Sequence, residues 1–278
     1  MLLRSPDGPI SPQELRERFA GRVAILIPAF DEAANLADML PRMPEQVAGV
    51  PTAVLVIDDG SGDATATAAL RAGAIVARLP ANRGGGAALR AGYALMPAVA
   101  PRVVVTMDAD GQHRPKDLER LLEPVLSGRV QLAQGSRVLG HSEGGVLSRE
   151  LGIAVFNRLI RLLTGRRITD CSNSFRAIAP ELLPKLELRQ AQFHAAEFLI
   201  EAIASGAAIE EVPVSVQRRL HGSSKKPATL RYGRGFSVAI LSAWWRSRRG
   251  GAVPSGRSVH DGDGFAARGV GEREELRL

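Results

Sequence analysis

Residues 103–113 decide the fold class of this chain, and they read Val-Val-Val-Thr-Met followed by Asp-Ala-Asp-Gly-Gln-His. The first five residues are apolar or β-branched without a break, which is typical of a strand buried on both faces of a sheet. Asp108 and Asp110 then stand where that strand ends. Because ligands bind beyond the carboxyl ends of parallel strands, the stretch predicts a strand and one wall of a binding site.

Further apolar runs flank this stretch, and segments with helical spacing separate them. The runs are residues 23–27, 53–57, 74–77 and 130–134. Buried strands that alternate with helices of about 10–15 residues indicate right-handed βαβ units. The sequence therefore predicts an α/β fold with a mostly parallel sheet flanked by helices, in a single domain.

The polar residues that directly follow the strands are expected to meet in one crevice. They are residues 28–32, 58–63, 108–113 and 135–137. This expectation follows because the carboxyl ends of parallel strands lie at the same edge of a sheet. An Asp-x-Asp pair is common by itself, but it becomes much more specific at the end of such a series.

The chain divides into four predicted segments. They are an N-terminal arm (1–21), a catalytic domain (22–228), an amphipathic helix (229–246) and a disordered tail (247–278). The arm contains a short predicted helix at residues 11–19. The tail is rich in Gly, Arg, Ser and Glu without an apolar period, which is typical of disorder.

The composition fits a globular domain and excludes several classes of protein. The chain has 278 residues, of which 45% are hydrophobic and 23% charged. Its single cysteine, Cys171, rules out an internal disulfide and a multi-cysteine zinc site, and we expect it to be a small packing residue. No run reaches the ~18 apolar residues of a spanning helix. We therefore expect a cytoplasmic protein, free or peripheral on the cytoplasmic face of a membrane.

Positive charge is concentrated late in the chain. The net charge is +7, and residues 212–260 hold ten Lys or Arg and no Asp or Glu. Such a stretch suits a phosphate, a membrane surface or a nucleic acid, or it is a solvated face. The low aromatic content of 4% argues against nucleic acid. An apolar stripe of Tyr232, Phe236, Ile240 and Trp244 either lies at a membrane interface or packs on the domain.

Two carboxylates and one amide predict a metal site. Asp108 and Asp110 can face one hard cation, and Gln112 adds a neutral oxygen. Mg²⁺ and Mn²⁺ prefer such oxygen ligands and often keep diphosphate oxygens in their shell. The alternative is a polar loop in which Asp110 caps a helix.

Two further motifs precede the metal motif along the chain. Residues 58–63 read Asp-Asp-Gly-Ser-Gly-Asp. A carboxylate here can accept a hydrogen bond from a base N–H or a ribose hydroxyl, whereas Asp63 is expected to cap the next helix. Residues 82–86 read Asn-Arg-Gly-Gly-Gly, and a glycine turn at a helix start favours a phosphate. Each of these motifs is weak alone.

In order and spacing, these motifs resemble those of the family 2 glycosyltransferases. The likeness rests on Pro-Ala-Phe-Asp-Glu at 28–32 and on residues 58–61, 82–86 and 108–113. Within that family the chain is similar to the polyprenyl-phosphate sugar synthases, which include the dolichyl-phosphate enzymes. This closer likeness rests on residues 135–137, 148–149, 170–176 and 219–225. The whole resemblance covers residues 23–246.

The resemblance implies a GT-A fold and an inverting transfer from a UDP- or GDP-sugar to a polyprenyl or dolichyl phosphate. It implies that Mg²⁺ or Mn²⁺ is bound by Asp108, Asp110 and Gln112. It implies nucleotide-sugar contacts from Pro28, Phe30, Glu32, Asp59, Arg83, Asp108, Ala109, Asp110, Gln112, Ser224 and Lys225. It implies catalytic roles for Asp110, Arg137, Arg149 and Arg219, and it implies that the three arginines face the phosphates of the donor or the acceptor.

The chain departs from the family pattern in three places. Phe30-Asp31 stands where the family usually has Tyr-Asn, so a hydroxyl contact is lost. The usual Ser-Gly-Phe-Arg segment reads Ser-Asn-Ser-Phe-Arg at 172–176, which we expect to alter the acceptor pocket. The sequence shows no counterpart of the membrane-spanning helices that some relatives carry.

The acceptor determines whether the reaction needs a general base. A lipid monophosphate is already anionic near neutral pH and needs none, whereas a hydroxyl on a small molecule, polysaccharide or protein needs one. Glu197 is the candidate base for that alternative, although a structural role is the favoured interpretation. A third hypothesis is a non-catalytic nucleotide-sugar-binding or nucleic-acid-binding module, against which the intact Asp108, Asp110 and Gln112 argue.

Overall fold

Ten β-strands and eight α-helices occur in the part of the chain that the computed structural model describes, residues 1–142, 147–222 and 229–249. The strands are β1 (Leu2–Ser5), β2 (Gly8–Pro9), β3 (Val23–Ala29), β4 (Gln46–Val47), β5 (Val50–Asp58), β6 (Ile75–Arg78), β7 (Val103–Thr106), β8 (Leu132–Ser142), β9 (Arg176–Ile178) and β10 (Ile209–Val216). The helices are α1 (Pro12–Phe19), α2 (Ala33–Met39), α3 (Thr65–Arg71), α4 (Gly85–Val99), α5 (Leu118–Leu126), α6 (Leu147–Thr164), α7 (His194–Ala204) and α8 (Thr229–Arg249).

One sheet runs through the molecule in the order β10-β8-β9-β7-β3-β5-β6-β1-β2, and β4 pairs with β5 beside it. Its central strands β7, β3, β5 and β6 are parallel neighbours, and β8 and β10 are parallel at one edge. β9 lies antiparallel between β7 and β8. The predicted α/β domain with a mostly parallel sheet is therefore confirmed, whereas no pattern in the sequence predicted the short β9.

The run at residues 23–27 is uniformly apolar because helices cover both faces of the sheet. All five residues are fully buried in β3. Ala24 and Leu26 belong to the core that includes α4, while the alternate residues of the run belong to the core that includes α2 and α5. Full burial of one large aliphatic side chain contributes roughly 1.5–3 kcal/mol, so the central strands anchor the fold.

The carboxyl ends of β3, β5 and β7 lie side by side, as expected. Ala29 at the end of β3 pairs in register with Asp58 at the end of β5. The carbonyl of Ala29 accepts the N–H of Asp59 at 2.8 Å, and Leu26 accepts the N–H of Met107 just beyond β7 at 3.1 Å. Three polar loops therefore leave the sheet at one edge.

Two elements at the margins of the sheet differ from their predicted extent. β8 continues to Ser142, well past the predicted run at 130–134, because it pairs with β10 on one side and β9 on the other. The N-terminal arm adds β1 to the sheet, antiparallel to β6. The helix predicted in the arm forms as α1, where Ser11 Oγ accepts the N–H of Glu14 at 3.2 Å.

The final helix α8 packs on the domain through the apolar stripe seen in the sequence. Phe236 and Ile240 are 1% and 0% exposed, and Trp244 Nε1 donates to the carbonyl of Leu163 at 2.7 Å. The described part of the stripe therefore faces the core, and the side chain of Tyr232 lies outside the described residues. Among the helices that the structure describes, none combines the length and apolar character that crossing a bilayer requires. Of the predicted tail, residues 250–278 lie outside the described part of the chain.

Candidate active site

A cavity of 520 Å³ opens at the carboxyl ends of β3, β5 and β7. The sequence-predicted residues that line it are Pro28, Phe30, Glu32, Asp59, Asp108, Ala109, Asp110, Gln112 and Arg219. A larger cavity of 790 Å³ lies at the amino ends of β3, β5 and β6, between Arg22, Thr52 and Gly73, and none of the predicted site residues line it. The positions of the predicted site residues therefore identify the smaller cavity as the candidate active site.

The two carboxylates of the metal motif lie at the cavity wall with different partners. Asp108 Oδ1 accepts from Ser174 Oγ at 2.6 Å. Asp110 Oδ1 accepts the N–H of Gln112 at 3.1 Å, and its Oδ2 lies 3.4 Å from Arg219 Nη1. Burial, and then the neighbouring charge of Asp108, raise the pKa of Asp110 above its usual value. A cation close to both carboxylates would oppose this shift and keep them ionised.

The donor set fits a divalent cation that shares its shell with a ligand. In residues 1–142, 147–222 and 229–249, no group of three or more His, Cys, Asp or Glu side chains forms a closed metal cage. Mg²⁺ is usually held by one or two carboxylates together with substrate phosphates. Asp108 and Asp110 supply such a pair, whereas the amide Nε2 of Gln112 donates to the carbonyl of Gln217 at 3.0 Å.

A short segment after β10, residues 217–222, crosses the metal motif, and we call it the strap. Gln217 donates its N–H to the carbonyl of Gln112 at 2.8 Å, and Leu220 donates to the carbonyl of Asp110 at 3.2 Å. Gly111 has a φ of +71°, and a Cβ at this position would lie 2.3 Å from Leu220 Cδ1. The motif therefore needs glycine at position 111 so that the strap can lie against it.

Arg219 on the strap binds two carboxylates of the cavity. Its Nη2 pairs with both oxygens of Glu32, and its Nη1 approaches Asp110. The side chains of Arg219 and Glu32 are only 17% and 9% exposed, so water screens this pair weakly. The predicted phosphate-facing arginine thus lies in the cavity, with its orientation fixed by Glu32.

The carboxylates at the end of β5 hold the adjoining loops. Asp59 accepts the N–H groups of Arg83 at 2.9 Å and Gly84 at 2.7 Å. Asp58 is fully buried, where it accepts the N–H of Ser61 at 2.9 Å and lies 3.3 Å from Arg78 Nε. Asp59 therefore lines the cavity while bracing its loop.

The glycine turn before α4 makes room for protein backbone. Gly86 donates its N–H to the carbonyl of Ala191 at 2.8 Å. A Cβ at Gly86 would lie 2.2 Å from the carbonyl oxygen of Gln190. The sequence suggested a phosphate as the close neighbour of this turn, but the structure places the segment 190–191 against Gly86. The side chain of Arg83 is exposed and does not line the cavity, although Gly84 and Gly85 do.

Arg137 lies behind the cavity in a buried ion pair. Its Nε and Nη2 contact Asp170 at 2.6 and 2.8 Å, and Nη2 also contacts Ser172 Oγ at 2.6 Å. Burial opposes ionisation of Asp170, but the paired guanidinium of Arg137 lowers the net pKa of that carboxyl below its usual value. Arg137 thereby supports the segment 172–174, of which Ser172 and Ser174 line the cavity. Of the other predicted site residues, Ser224, Lys225 and the side chain of Arg149 lie outside the described residues.

A further part of the cavity wall comes from residues 191–195 and Phe236, which sequence reasoning missed as cavity residues. Glu197 in α7 is fully buried behind this wall. It accepts the N–H groups of Arg189 at 3.0 Å and Gln190 at 2.7 Å, and Arg246 Nη2 donates to it at 2.5 Å. These contacts give Glu197 the structural role favoured from the sequence.

Cys171 is buried as the sequence predicted. Burial raises the pKa of its thiol to about 12, so the neutral thiol predominates at physiological pH. A neutral, buried thiol is a poor nucleophile, which agrees with a packing role.

The sheet order and the carboxylate pair at a strand end define the class of the molecule as a GT-A glycosyltransferase fold. The model of the family described as Glycosyl transferase family 2 matches residues 24–186, and the chain belongs to that family. Both conclusions agree with the resemblance found in the sequence motifs.

Relatives and a solved structure extend the comparison beyond the family match. Polyprenol monophosphomannose synthase of Mycolicibacterium smegmatis is 33% identical over 73% of this chain and 80% of that protein. Undecaprenyl-phosphate mannosyltransferase of Micrococcus luteus is 30% identical over 82% of this chain and 96% of that protein. The fold also matches a crystal structure of glucosyl-3-phosphoglycerate synthase from Mycobacterium tuberculosis, which was solved in complex with Mn²⁺, UDP-glucose and phosphoglyceric acid. The two chains are 25% identical and superpose with a TM-score of 0.64 over 85% of this chain and 84% of that chain. The predicted resemblance to polyprenyl-phosphate sugar synthases is therefore confirmed.

Proposed function

We propose that this glycosyltransferase is metal-dependent and transfers a sugar, with inversion, from a UDP- or GDP-sugar to a polyprenyl or dolichyl phosphate. The observation that carries the proposal is the convergence of the motif residues on one 520 Å³ cavity. The similarity to two proteins named for polyprenol and undecaprenyl phosphate supports the choice of acceptor.

The strand-end loops form the proposed donor site. Pro28, Phe30 and Asp59 line the part of the cavity where the nucleotide is proposed to bind. Asp108 and Asp110, with Gln112, are proposed to hold Mg²⁺ or Mn²⁺. A cation held there acts as a Lewis acid, because it neutralises the charge that develops on the departing diphosphate.

The proposed acceptor needs no proton removal. A lipid monophosphate already carries negative charge, so a positioned cation is more useful to it than a base. Arg219 brings a guanidinium into the cavity, where Glu32 and Asp110 hold it, and a fixed positive charge at this position suits an anionic acceptor. Arg149, Ser224 and Lys225 are proposed to bind phosphate directly, and Arg137 is proposed to contribute through the segment 172–174 that it supports. Arg83 is a proposed donor contact.

A lipid acceptor requires contact with a membrane surface, for which α6 and α8 are the proposed elements. Both helices expose several large apolar side chains: Val155 at 58% and Leu162 at 73% on α6, and Val238 at 59%, Leu241 at 46% and Trp245 at 55% on α8. Exposed Arg158 and Arg161 on α6 suit anionic headgroups beside such a face. This face is distinct from the buried stripe of α8.

A second candidate is transfer to a water-soluble acceptor. The observation that favours it is the fold match to glucosyl-3-phosphoglycerate synthase, which spans 85% of this chain. Phosphoglyceric acid presents a hydroxyl nucleophile, so this alternative needs a general base. Glu197 is a weak choice for that base, because backbone N–H groups and Arg246 already occupy its carboxylate.

The deciding experiment is an acceptor panel with the full chain. UDP- and GDP-sugars are offered with Mg²⁺ or Mn²⁺, together with a short-chain polyprenyl phosphate, phosphoglyceric acid or no acceptor. We expect a lipid-linked sugar with inverted anomeric configuration, and no product in excess chelator. Transfer to phosphoglyceric acid alone would contradict the lipid proposal and favour the second candidate.

A further inference from the structure

We propose that Asn35 is a positioning residue of the active site, which holds the strap so that Arg219 stands against Asp110. This inference rests on the proposed function, because it takes the 520 Å³ cavity to be the site of transfer. Asn35 lies on α2, one helical turn after Glu32, and none of the sequence motifs includes it.

Both ends of the Asn35 amide bind protein groups in a buried environment. The residue is 3% exposed. Its Nδ2 donates to Glu32 Oε2 at 2.5 Å and to the carbonyl of His221 at 3.2 Å, while its Oδ1 accepts the N–H of His221 at 2.8 Å. The two hydrogen bonds to the backbone of His221 resemble the pairing of two β-strands, and they attach the strap to α2. Aspartate at this position lacks the donor, and an aliphatic residue lacks both groups.

Arg219 is held by the same groups that Asn35 holds. Its Nε donates to the carbonyl of His221 at 2.7 Å, the oxygen that also receives Asn35 Nδ2. Its Nη2 pairs with Glu32, whose Oε2 accepts from Asn35. Of the contacts described for Arg219, only the one to Asp110 is independent of Asn35. Asn35 therefore fixes the direction in which the guanidinium faces the cavity.

The neighbouring contact of Asp38 provides a matched control. Asp38 Oδ2 lies 2.6 Å from His221 Nε2, so it touches the same strap residue from the same helix. Its side chain and that of His221 are 47% and 48% exposed. Exposed ion pairs contribute little because water and salt screen them. Loss of Asp38 therefore tests contact with the strap in general, without loss of the buried amide.

The test is a double-mutant cycle on sugar transfer, with Asn35→Ala, Arg219→Met and the double variant. We expect Asn35→Ala to lower kcat/KM by roughly tenfold to a hundredfold, since small misplacements of catalytic groups have costs of this order. In the Arg219→Met background, Asn35→Ala should lower kcat/KM less than about threefold, because the effects of residues that act through one another are not additive. Asp38→Asn should change kcat/KM less than about threefold. Additive effects of Asn35→Ala and Arg219→Met would overturn the proposal.

A second measurement needs neither donor nor acceptor, so it separates this inference from the proposed function. Trypsin cleaves after Arg218 and Arg219 when the strap leaves the domain, and the rate of cleavage at these two bonds, followed by mass spectrometry, reports on that opening. We expect Asn35→Ala to accelerate this cleavage at least about fivefold and Asp38→Asn to leave it nearly unchanged. If Asn35→Ala fails to fold, as judged by circular dichroism, Asn35→Asp takes its place with the same expectation. Equal cleavage rates in the folded variant and the wild type would overturn the role of Asn35, whichever acceptor the enzyme uses.

Discussion

The two walls of the cavity are built in different ways. The strand-end wall consists of residues 28–32, Asp59 and 108–112, which lie at or just after the carboxyl ends of buried strands. The loop wall consists of Ser172, Ser174, residues 191–195 and Phe236, which come from connecting segments, the start of α7 and the distant helix α8. The strand-end wall takes its geometry from the sheet, whereas the loop wall takes its geometry from side chains that lie behind it.

Two buried ion pairs support the loop wall. Arg137 and Asp170 hold the segment 172–174, and Arg246 and Glu197 hold the segment before α7. Removing one partner of a buried pair strands a charge away from water and typically costs about 3–5 kcal/mol. Changes behind the loop wall should therefore affect stability and geometry together, while changes in the strand-end wall should affect chemistry with the fold intact.

The largest expected effect is in the strand-end wall. Asp110→Ala should lower transfer by a factor on the order of a thousand or more, because a preorganised electrostatic contact to the departing diphosphate is lost. The urea midpoint of unfolding should stay close to the wild-type value, since Asp110 lies at the cavity surface. Asp38→Asn serves as the matched carboxylate control. Wild-type turnover in Asp110→Ala would remove the metal motif from the mechanism.

The difference between the walls also explains what could be predicted from the sequence. Residues 103–107 and 23–27 are uniformly apolar because both faces of their strands are buried, and that pattern located the sheet and its carboxyl edge. Asn35, in contrast, contacts His221, which lies 186 positions further along the chain, and Glu197 contacts Arg246, which lies 49 positions further along. No local pattern encodes such contacts. β9 was missed for a similar reason, since three residues are too few to show a period.

An intermediate effect is expected where the strap meets the strand-end wall. Arg219→Lys keeps the positive charge but loses the fork that binds Glu32 and Asp110 together. We expect transfer to a short-chain polyprenyl phosphate to fall on the order of a hundredfold. Calorimetric affinity for UDP or GDP with Mg²⁺ should change less. A variant that transfers at the wild-type rate would show that the guanidinium geometry is unimportant.

A smaller effect on turnover is expected from the loop wall. Glu197→Gln and Arg246→Met should each raise the acceptor KM on the order of tenfold, because the segment at 189–190 loses its anchor. Each should also lower the free energy of unfolding by about 3 kcal/mol in urea titrations. Arg71→Met, an exposed arginine on α3, is the matched control. A general base would behave differently: Glu197→Gln would abolish kcat while Arg246→Met left it intact.

The smallest effect is expected from removal of the C-terminal residues. Removal of residues 250–278 keeps α8 with Phe236 and Arg246, so neither wall loses a described contact. Turnover on a short-chain, water-dispersed acceptor should remain within about twofold of the full chain, since the described contacts of both walls are all kept. The same assay on acceptor in vesicles serves as a comparison. A large loss with the dispersed acceptor would assign the C-terminal residues to the site.

The central claim is that the strand-end wall forms a metal-assisted nucleotide site, and calorimetry tests it most directly. UDP and GDP are titrated into the wild type and into Asp110→Asn, with Mg²⁺ or with chelator. We expect one of the nucleotides to bind the wild type at one site, with affinity falling on the order of thirtyfold in chelator. Asp110→Asn should show the weaker affinity in both conditions. Equal nucleotide affinity with and without metal in the wild type, unaltered by Asp110→Asn, would contradict the claim.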